Sequence, residues 1–263
     1  MRVTIHTSMD DLPATDWNGL AGDDPFLSHE FLAALEHCGS TTPETGWQPQ
    51  HLACRDATGR LIGALPLYLK SHSYGEYVFD WSWAEAWQQA GLHYYPKLVS
   101  AVPFSPVPGQ RLLIAPDVNR EAVAKALLEA STELAQTTRA SSIHSLFPVQ
   151  NELPDWTRHG FLLRKDCQFH WHNHAKDHDF ESWLARFTAH KRKKVHRERR
   201  RVREAGIRFR LLHGCDLDTQ RLDTVHRFYA ATYLKRGRSP YLNRQFFDEI
   251  ARTLPENLLV ILA

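Results

Sequence analysis

PLYLKSHSYGEYVFDWSWAEAWQQAGLHYYPKLVSAVPFSPVPGQRLLIAP, residues 66–116, is the stretch on which the reading of this chain turns. It holds Trp81, Trp83 and Trp87 of eight tryptophans, and five of eight tyrosines. Glu76, Asp80 and Glu85 lie among them, and a Pro/Gly loop carrying Arg111 closes the stretch. Such a density reads either as a long loop pinned by aromatic anchors or as the wall of a binding site. A carboxylate held among aromatics is desolvated, which raises its pKa and suits it to deprotonate an amine near neutrality. Glu76, Asp80 and Glu85 are therefore the candidate catalytic bases. Trp81, Trp83, Tyr94 and Tyr95 are the candidate substrate-lining residues.

Working outward, apolar periodicity predicts strands over 2–7, 47–55, 60–70, 97–103, 141–147, 207–212 and 258–263. One or two more are expected within 161–171. The turn at 56–59 makes a hairpin of 47–55 and 60–70. Helices are predicted over 10–20, from an N-cap at Ser28 to a stop at Gly39, and over 119–139, 151–160, 180–205, 219–236 and 243–253. Residues 71–96 read as a loop. This order makes a mixed α/β fold with a mixed sheet.

PFLSHEFLAAL, beginning at Pro25, matches PYLNRQFFDEI, beginning at Pro240, at an offset of 215. Each copy precedes a strand. The expectation is a first domain over 1–175, a basic connector over 176–206, and the start of a second, related domain over 207–263. An apolar strand with nothing after it leaves an open edge, so the chain is expected to be a shortened form of a longer tandem protein.

The net charge of +2 conceals a strong asymmetry. Ten Lys/Arg and one Glu lie between Arg186 and Arg203, a segment of +9, so the remainder carries −7. A helix this basic attracts polyanions such as RNA, nucleotides or anionic head groups, or else serves as a solvated face balancing acidic neighbours. Arg192, Lys193, Lys194 and Arg197 are its candidate polyanion contacts. The cysteines Cys38, Cys54, Cys167 and Cys215 form no CxxC pair, which points to reduced thiols and a cytoplasmic location. No signal peptide or membrane-length apolar run is present. His170, His172 and His174 alternate, but no carboxylate completes a zinc site, and no metal is expected. Nucleophile-elbow, Walker, HExxH and dinucleotide fingerprints are all absent.

GEYVFDWSWAEAW (75–87), GLHYYPKLVSAVPFSPVPGQRLL (91–113), QFHWHN (168–173) and HKRKKVHRERRRV (190–202) together resemble a bacterial family of predicted N-acyltransferases. These are described as peptidoglycan biosynthesis/recognition proteins, tandem members of the GNAT superfamily related to Fem-type aminoacyltransferases. The resemblance implies a GNAT-like acyltransferase fold, one complete domain followed by an incomplete second copy. A splayed strand pair, here 97–103 and 141–147, would hold the acyl donor. It implies donor contacts at Val102, Phe104, Val107, Gly109, Gln110 and Arg111, where relatives carry (Q/R)xxGx(G/A) before a helix. Residues 107–113 keep one glycine of that motif, and Pro108 removes an amide. The resemblance implies acyl-CoA or aminoacyl-tRNA as donor, the latter suiting the basic helix, and an amine as acceptor. The contrasting function is a non-catalytic module that binds peptidoglycan fragments or RNA.

Overall fold

The computed structural model describes residues 1–263. In chain order the elements are β1 (Arg2–His6), α1 (Ala14–Ala21), α2 (His29–His37), β2 (Trp47–Pro49), β3 (His51–Arg55), β4 (Leu61–Leu65) and β5 (Tyr68–Lys70). Then follow α3 (Trp81–Gln89), β6 (Lys97–Ser100), β7 (Leu113–Ile114), α4 (Arg120–Thr138), β8 (Ile143–Ser145) and α5 (Leu153–Arg158). The chain ends with α6 (Phe180–Ala185), α7 (Ala189–Glu204), β9 (Arg210–His213), α8 (Thr219–Leu234), α9 (Arg244–Thr253) and β10 (Leu259–Leu262). The fold class is mixed α/β, as expected.

Two compact units divide the chain. One comprises Met1–Leu162 with His213–Leu258, the other Leu163–Leu212 with Leu259–Ala263. This grouping interleaves the chain.

The first unit is built on the predicted hairpin, but each long arm is broken in two. β1, β3, β4 and β7 form one antiparallel sheet, and β2, β5, β6 and β8 form a second. The breaks fall at Gln50 and at Pro66, which has no amide to donate. Gln50 N–H still reaches Leu67 O across the break at 2.8 Å, and the Leu67 amide donates to the His51 ring. The first sheet is buried on both faces. Leu52, Cys54, Ile62 and Leu65 pack against α4, while Ala53, Leu61 and Ala64 pack against α1 and α2. Gly63 lets α4 approach closely, since a Cβ there would collide with Val123. In the second sheet β5 pairs antiparallel with β6, and β6 pairs parallel with β8.

The repeated peptides become α2 and α9. Ser28 caps α2 by accepting from Phe31 N–H, and Asn243 caps α9 by accepting from Phe246 N–H, at equivalent positions. The two helices pack on each other through equivalent residues. Phe31 meets Phe246 edge-on at 5.6 Å, and Leu35 and Ile250 share one apolar cluster.

Three sequence expectations fail. Residues 81–89 form a helix rather than loop, because Trp83 and Trp87 sit one turn apart between Asp80 and Gly91. No strand forms over 161–171: alternation makes a strand only where it finds an edge and a face to bury, and here Leu162 and Phe169 are almost wholly exposed. The basic helix over 180–205 is two helices. Thr188 caps α7 by accepting from Lys191 N–H, and Arg192 donates back to Ala185 O and Phe187 O at the end of α6.

Candidate functional site

Lys70 ends β5 and Lys97 begins β6, and the two are directly opposed in the antiparallel register. Side chains paired this way share a face, so both amines project to the same side of the second sheet. Neither has any exposed surface. Two buried like charges are untenable without counter-charge, and residues 71–80 supply it. Lys97 Nζ spends its three donors on Asp80 Oδ2 at 2.5 Å, Glu76 Oε2 at 2.8 Å and Ser73 Oγ at 2.9 Å. Tyr94 donates to the same Asp80 oxygen at 2.6 Å, and Tyr95 and Ser73 share a hydrogen bond of 2.8 Å. Lys70 donates to Gly46 O at 2.9 Å and lies 3.8 Å from the centroid of the Trp47 ring. Trp47 in turn donates to Tyr74 O at 3.1 Å, fastening the covering segment.

The groups respond to burial unequally. Burial drives Lys70 down to about 7, with Glu76 opposing the shift and Lys97 adding to it. Burial raises Glu76 above the usual carboxylate range against the pull of Lys97. Burial also acts upward on Asp80, but hydrogen bonds led by that from Lys97 outweigh it and hold the group at about 2. Burial and then Asp80 push Tyr94 upward, so it stays a proton donor. Glu76 Oε1, Asp80 Oδ1 and the Tyr68 hydroxyl are buried with no hydrogen-bond partner in the protein. The site thus pairs a firmly ionised carboxylate with a second whose pKa lies nearer neutrality, beside a lysine that titrates near pH 7.

The structure separates the three acids proposed from sequence. Glu76 and Asp80 converge on Lys97, whereas Glu85 lies exposed on α3, where it accepts from Gln89. Trp81 and Trp83 are also on α3 and about half exposed, with Trp81 against Tyr74. Tyr94 is buried in the cluster and Tyr95 half-buried at its edge. Lys70 and Lys97, the centre of the arrangement, were not singled out from sequence. Each flanks an apolar strand, where a lysine ordinarily marks the point at which a strand meets water; the only local signal was that each sits beside the acid-bearing segment.

The donor loop is organised from inside. Val102 is buried in the core around Trp17, and Phe104 stacks on Tyr241 at 5.0 Å. Arg111 has no exposed surface. Its guanidinium donates to Leu146 O, Gln110 O and Val107 O at 2.8–2.9 Å, and its backbone amide donates to the Glu152 carboxylate. Gly109 bonds with Phe147 O and Val149 N, taking the position beside the continuation of β8 that β6 leaves after Ser100. Arg111 is therefore unavailable as a charged fork for phosphate. A pyrophosphate grip by residues 107–113 does not fit: the charge is spent on the loop's own carbonyls, and Gly109 N–H is already bonded.

In the second unit, Arg192, Lys193, Lys194 and Arg197 line a cleft of about 460 Å³ on α7 with His190, His196 and Arg200, and Arg192 also donates to the carbonyls of Ala185 and Phe187.

A family model named FemAB-like, described as peptidoglycan biosynthesis/recognition, matches residues 8–263. The chain belongs to the FemAB-like family. Among curated proteins none matches it. Solved structures similar to this FemAB-like chain include a probable acetyltransferase, 20% identical over 66% of this chain and 96% of its own, with a TM-score of 0.38. Another is the aminoglycoside 6'-N-acetyltransferase AAC(6')-Ih of Acinetobacter baumannii, 14% identical over 66% and 99%, with a TM-score of 0.40. An acetyltransferase of Trypanosoma brucei is 15% identical over 65% and 99%, with a TM-score of 0.37. No helix of the FemAB-like chain is long and apolar enough to cross a membrane.

Proposed function

We propose that this FemAB-like protein transfers an acyl or aminoacyl group to an amine carried by a peptidoglycan precursor, in the cytoplasm. The carrying observation is the buried Lys97–Glu76–Asp80 cluster, in which each carboxylate keeps one oxygen without a protein partner. Glu76 is the base: its raised pKa lets it take the proton that the amine must lose as its nitrogen attacks the donor carbonyl, and that proton passes on to the departing CoA sulfur or tRNA ribose oxygen as the acyl–S or acyl–O bond breaks. Asp80, held ionised, and Lys97 keep the local charge balanced while that proton moves. Trp81 and Trp83 line the approach for the acceptor. Glu76 is only 2% exposed, so the segment over 71–80 lifts to admit it.

Acyl-CoA and aminoacyl-tRNA are the two donors this reading admits. The internally bonded loop at 107–113 argues against a CoA grip in the first half, and the cations of α7 support a polyanionic donor. Residues 207–263 are read as the start of a second copy of the fold, on the matched caps and packing of α2 and α9.

Turnover assays with acetyl-CoA and with aminoacyl-tRNA, each offered muropeptide acceptors, test the reading. Glu76→Gln is expected to lower kcat by at least about 100-fold with acceptor KM little changed. Binding of muropeptide without turnover from either donor would overturn it in favour of a non-catalytic recognition module, the reading that the closed donor loop favours.

A further inference from the structure

The segment over 71–80, which covers Lys97, is held in a conformation that its own sequence does not favour. Gly75, Tyr77 and Phe79 have φ of 81°, 62° and 50°. Glycine adopts such values freely, whereas tyrosine and phenylalanine do so at a cost, and the conformation persists only where neighbours over-determine it. Two of those neighbours lie far along the chain. We infer that Tyr233 on α8 and Tyr241, on the connection from α8 to α9, latch this segment shut over the Lys97 cluster. They are positioning residues for the segment that carries Glu76.

Each side of Glu76 is gripped separately. On one side, Gly75 O accepts from Phe104 N–H at 3.2 Å, and a Cβ on Gly75 would come within 2.6 Å of the Phe104 ring. That ring is held in turn, stacked on Tyr241 at 5.0 Å and 20° and packed against Trp47 at 5.3 Å. On the other side, the Tyr77 phenol meets that of Tyr233, and burial together with Tyr233 pushes the Tyr77 pKa upward. Tyr233 packs on Tyr241 at 5.5 Å, which joins the two grips.

The fixed half of the latch is anchored away from the segment. Tyr233 packs at 5.0 Å on Tyr229, whose hydroxyl accepts from Leu242 N–H at 3.2 Å and whose ring meets Phe247 of α9 at 5.3 Å. α9 is itself seated on α2 through Phe246 and Phe31. When the segment lifts for an acceptor, its contacts with Tyr233 and Tyr241 are given up. They therefore lower the open fraction, and weaken acceptor binding by the same factor. The latch stands on these contacts alone; its effect on turnover rests on the reading of Glu76 as the base.

Lysine labelling tests the latch without turnover. Lys70 and Lys97 have no exposed surface, whereas the Lys125 side chain on α4 is 61% exposed. The full chain is trace-acetylated with an N-hydroxysuccinimide ester, and each lysine is followed by mass spectrometry in the wild type, Tyr241→Ala, Tyr233→Ala, Tyr241→Phe and Ser28→Ala. Each of Tyr241→Ala and Tyr233→Ala should speed labelling of Lys97 relative to Lys125 by about tenfold, the weight of a lost aromatic pair. Tyr241→Phe, which keeps the stacked ring, should restore the wild-type ratio. Ser28→Ala weakens a helix cap away from the segment and should leave the ratio unchanged, which tells an open latch from general loss of stability. In turnover, the alanine variants should lower acceptor KM with no fall in kcat/KM. The inference is overturned if Lys97 labels no faster in either alanine variant, if Ser28→Ala speeds it equally, or if an active alanine variant shows an unchanged or raised acceptor KM. A wild type without turnover refutes the transferase reading alone, and the labelling ratio still decides the latch.

Discussion

Two groups of basic residues in this protein obey opposite rules. Lys70 and Lys97 are only two and wholly buried, Lys97 with its three donors on three named acceptors and Lys70 held by Gly46 O and the Trp47 ring. The cations of α7 are many, exposed on a helix with no buried residue, and paired at long range, as Lys194 is with Glu198 at 3.8 Å. A buried charge is worth what its partners make of it, because the interior does not screen or solvate. An exposed one contributes little to stability and much to long-range attraction. The first group shapes a site; the second shapes a field.

The sharpest way to break this contrast is Lys97→Met. It strands Glu76 and Asp80 without their cation, and a destabilisation of about 3–5 kcal/mol is expected in urea unfolding. A destabilisation well under that range, about 1 kcal/mol or less, would mean that the cluster is not buried as described.

Lys70 sharpens the contrast through pH. Its folded pKa of about 7 lies below the unfolded value near 10.5, so between those values the unfolded chain binds the extra proton. Its burial is therefore a cost that is full below pH 7 and is relieved as pH rises toward 10.5. Melting temperature should rise across that window relative to Lys70→Met, which has no such group. Parallel pH profiles for the two proteins would refute the assignment. Asp80 acts at the other end: with a folded pKa near 2 against 3.8, its contribution is present above about pH 4 and is lost as pH falls toward 2.

Smaller effects are expected where the two repeats meet. Ser28→Ala and Asn243→Ala each remove an equivalent helix cap, and each should cost about 1 kcal/mol. Chemical denaturation that finds one large and the other negligible would show that the caps are not equivalent in energy.

The smallest effect on stability belongs to α7. Replacing Lys193 and Lys194 with alanine should leave the melting curve unchanged. The affinity for single-stranded or transfer RNA should nonetheless fall at low salt, and the slope of log affinity against log salt should flatten by about one for each phosphate no longer neutralised. Equal affinity at all salt concentrations would remove the polyanion role.

Much of the architecture was legible locally. The hairpin around residues 56–59, the cap at Ser28, the helix starts at 119 and 243, and the long amphipathic α4 follow from periodicity and cap chemistry, which neighbours a few residues apart decide. α3 was legible too, since Trp83 and Trp87 lie one turn apart, but aromatic density obscured the period. The break between α6 and α7 was harder: the apolar spacing of Phe180, Trp183, Leu184 and Phe187 runs up to it without a glycine or proline, and only Thr188 marks the new cap.

The candidate site was half visible. Glu76 and Asp80 stand out as acids among aromatics, yet Glu85 looked identical in sequence and ended on an exposed helical face. Arg111 looked like a phosphate ligand and became an internal brace.

Sequence alone determined that residues 66–116 carry acids among aromatics between two strands, because composition and period are written along the chain. Only tertiary structure decided that Lys70 and Lys97 meet across β5 and β6, beneath the segment that supplies their counter-charges. Burial depends on what a distant stretch of chain lays over a side chain. A lysine at a strand end reads the same in sequence whether it faces water or, as here, two carboxylates.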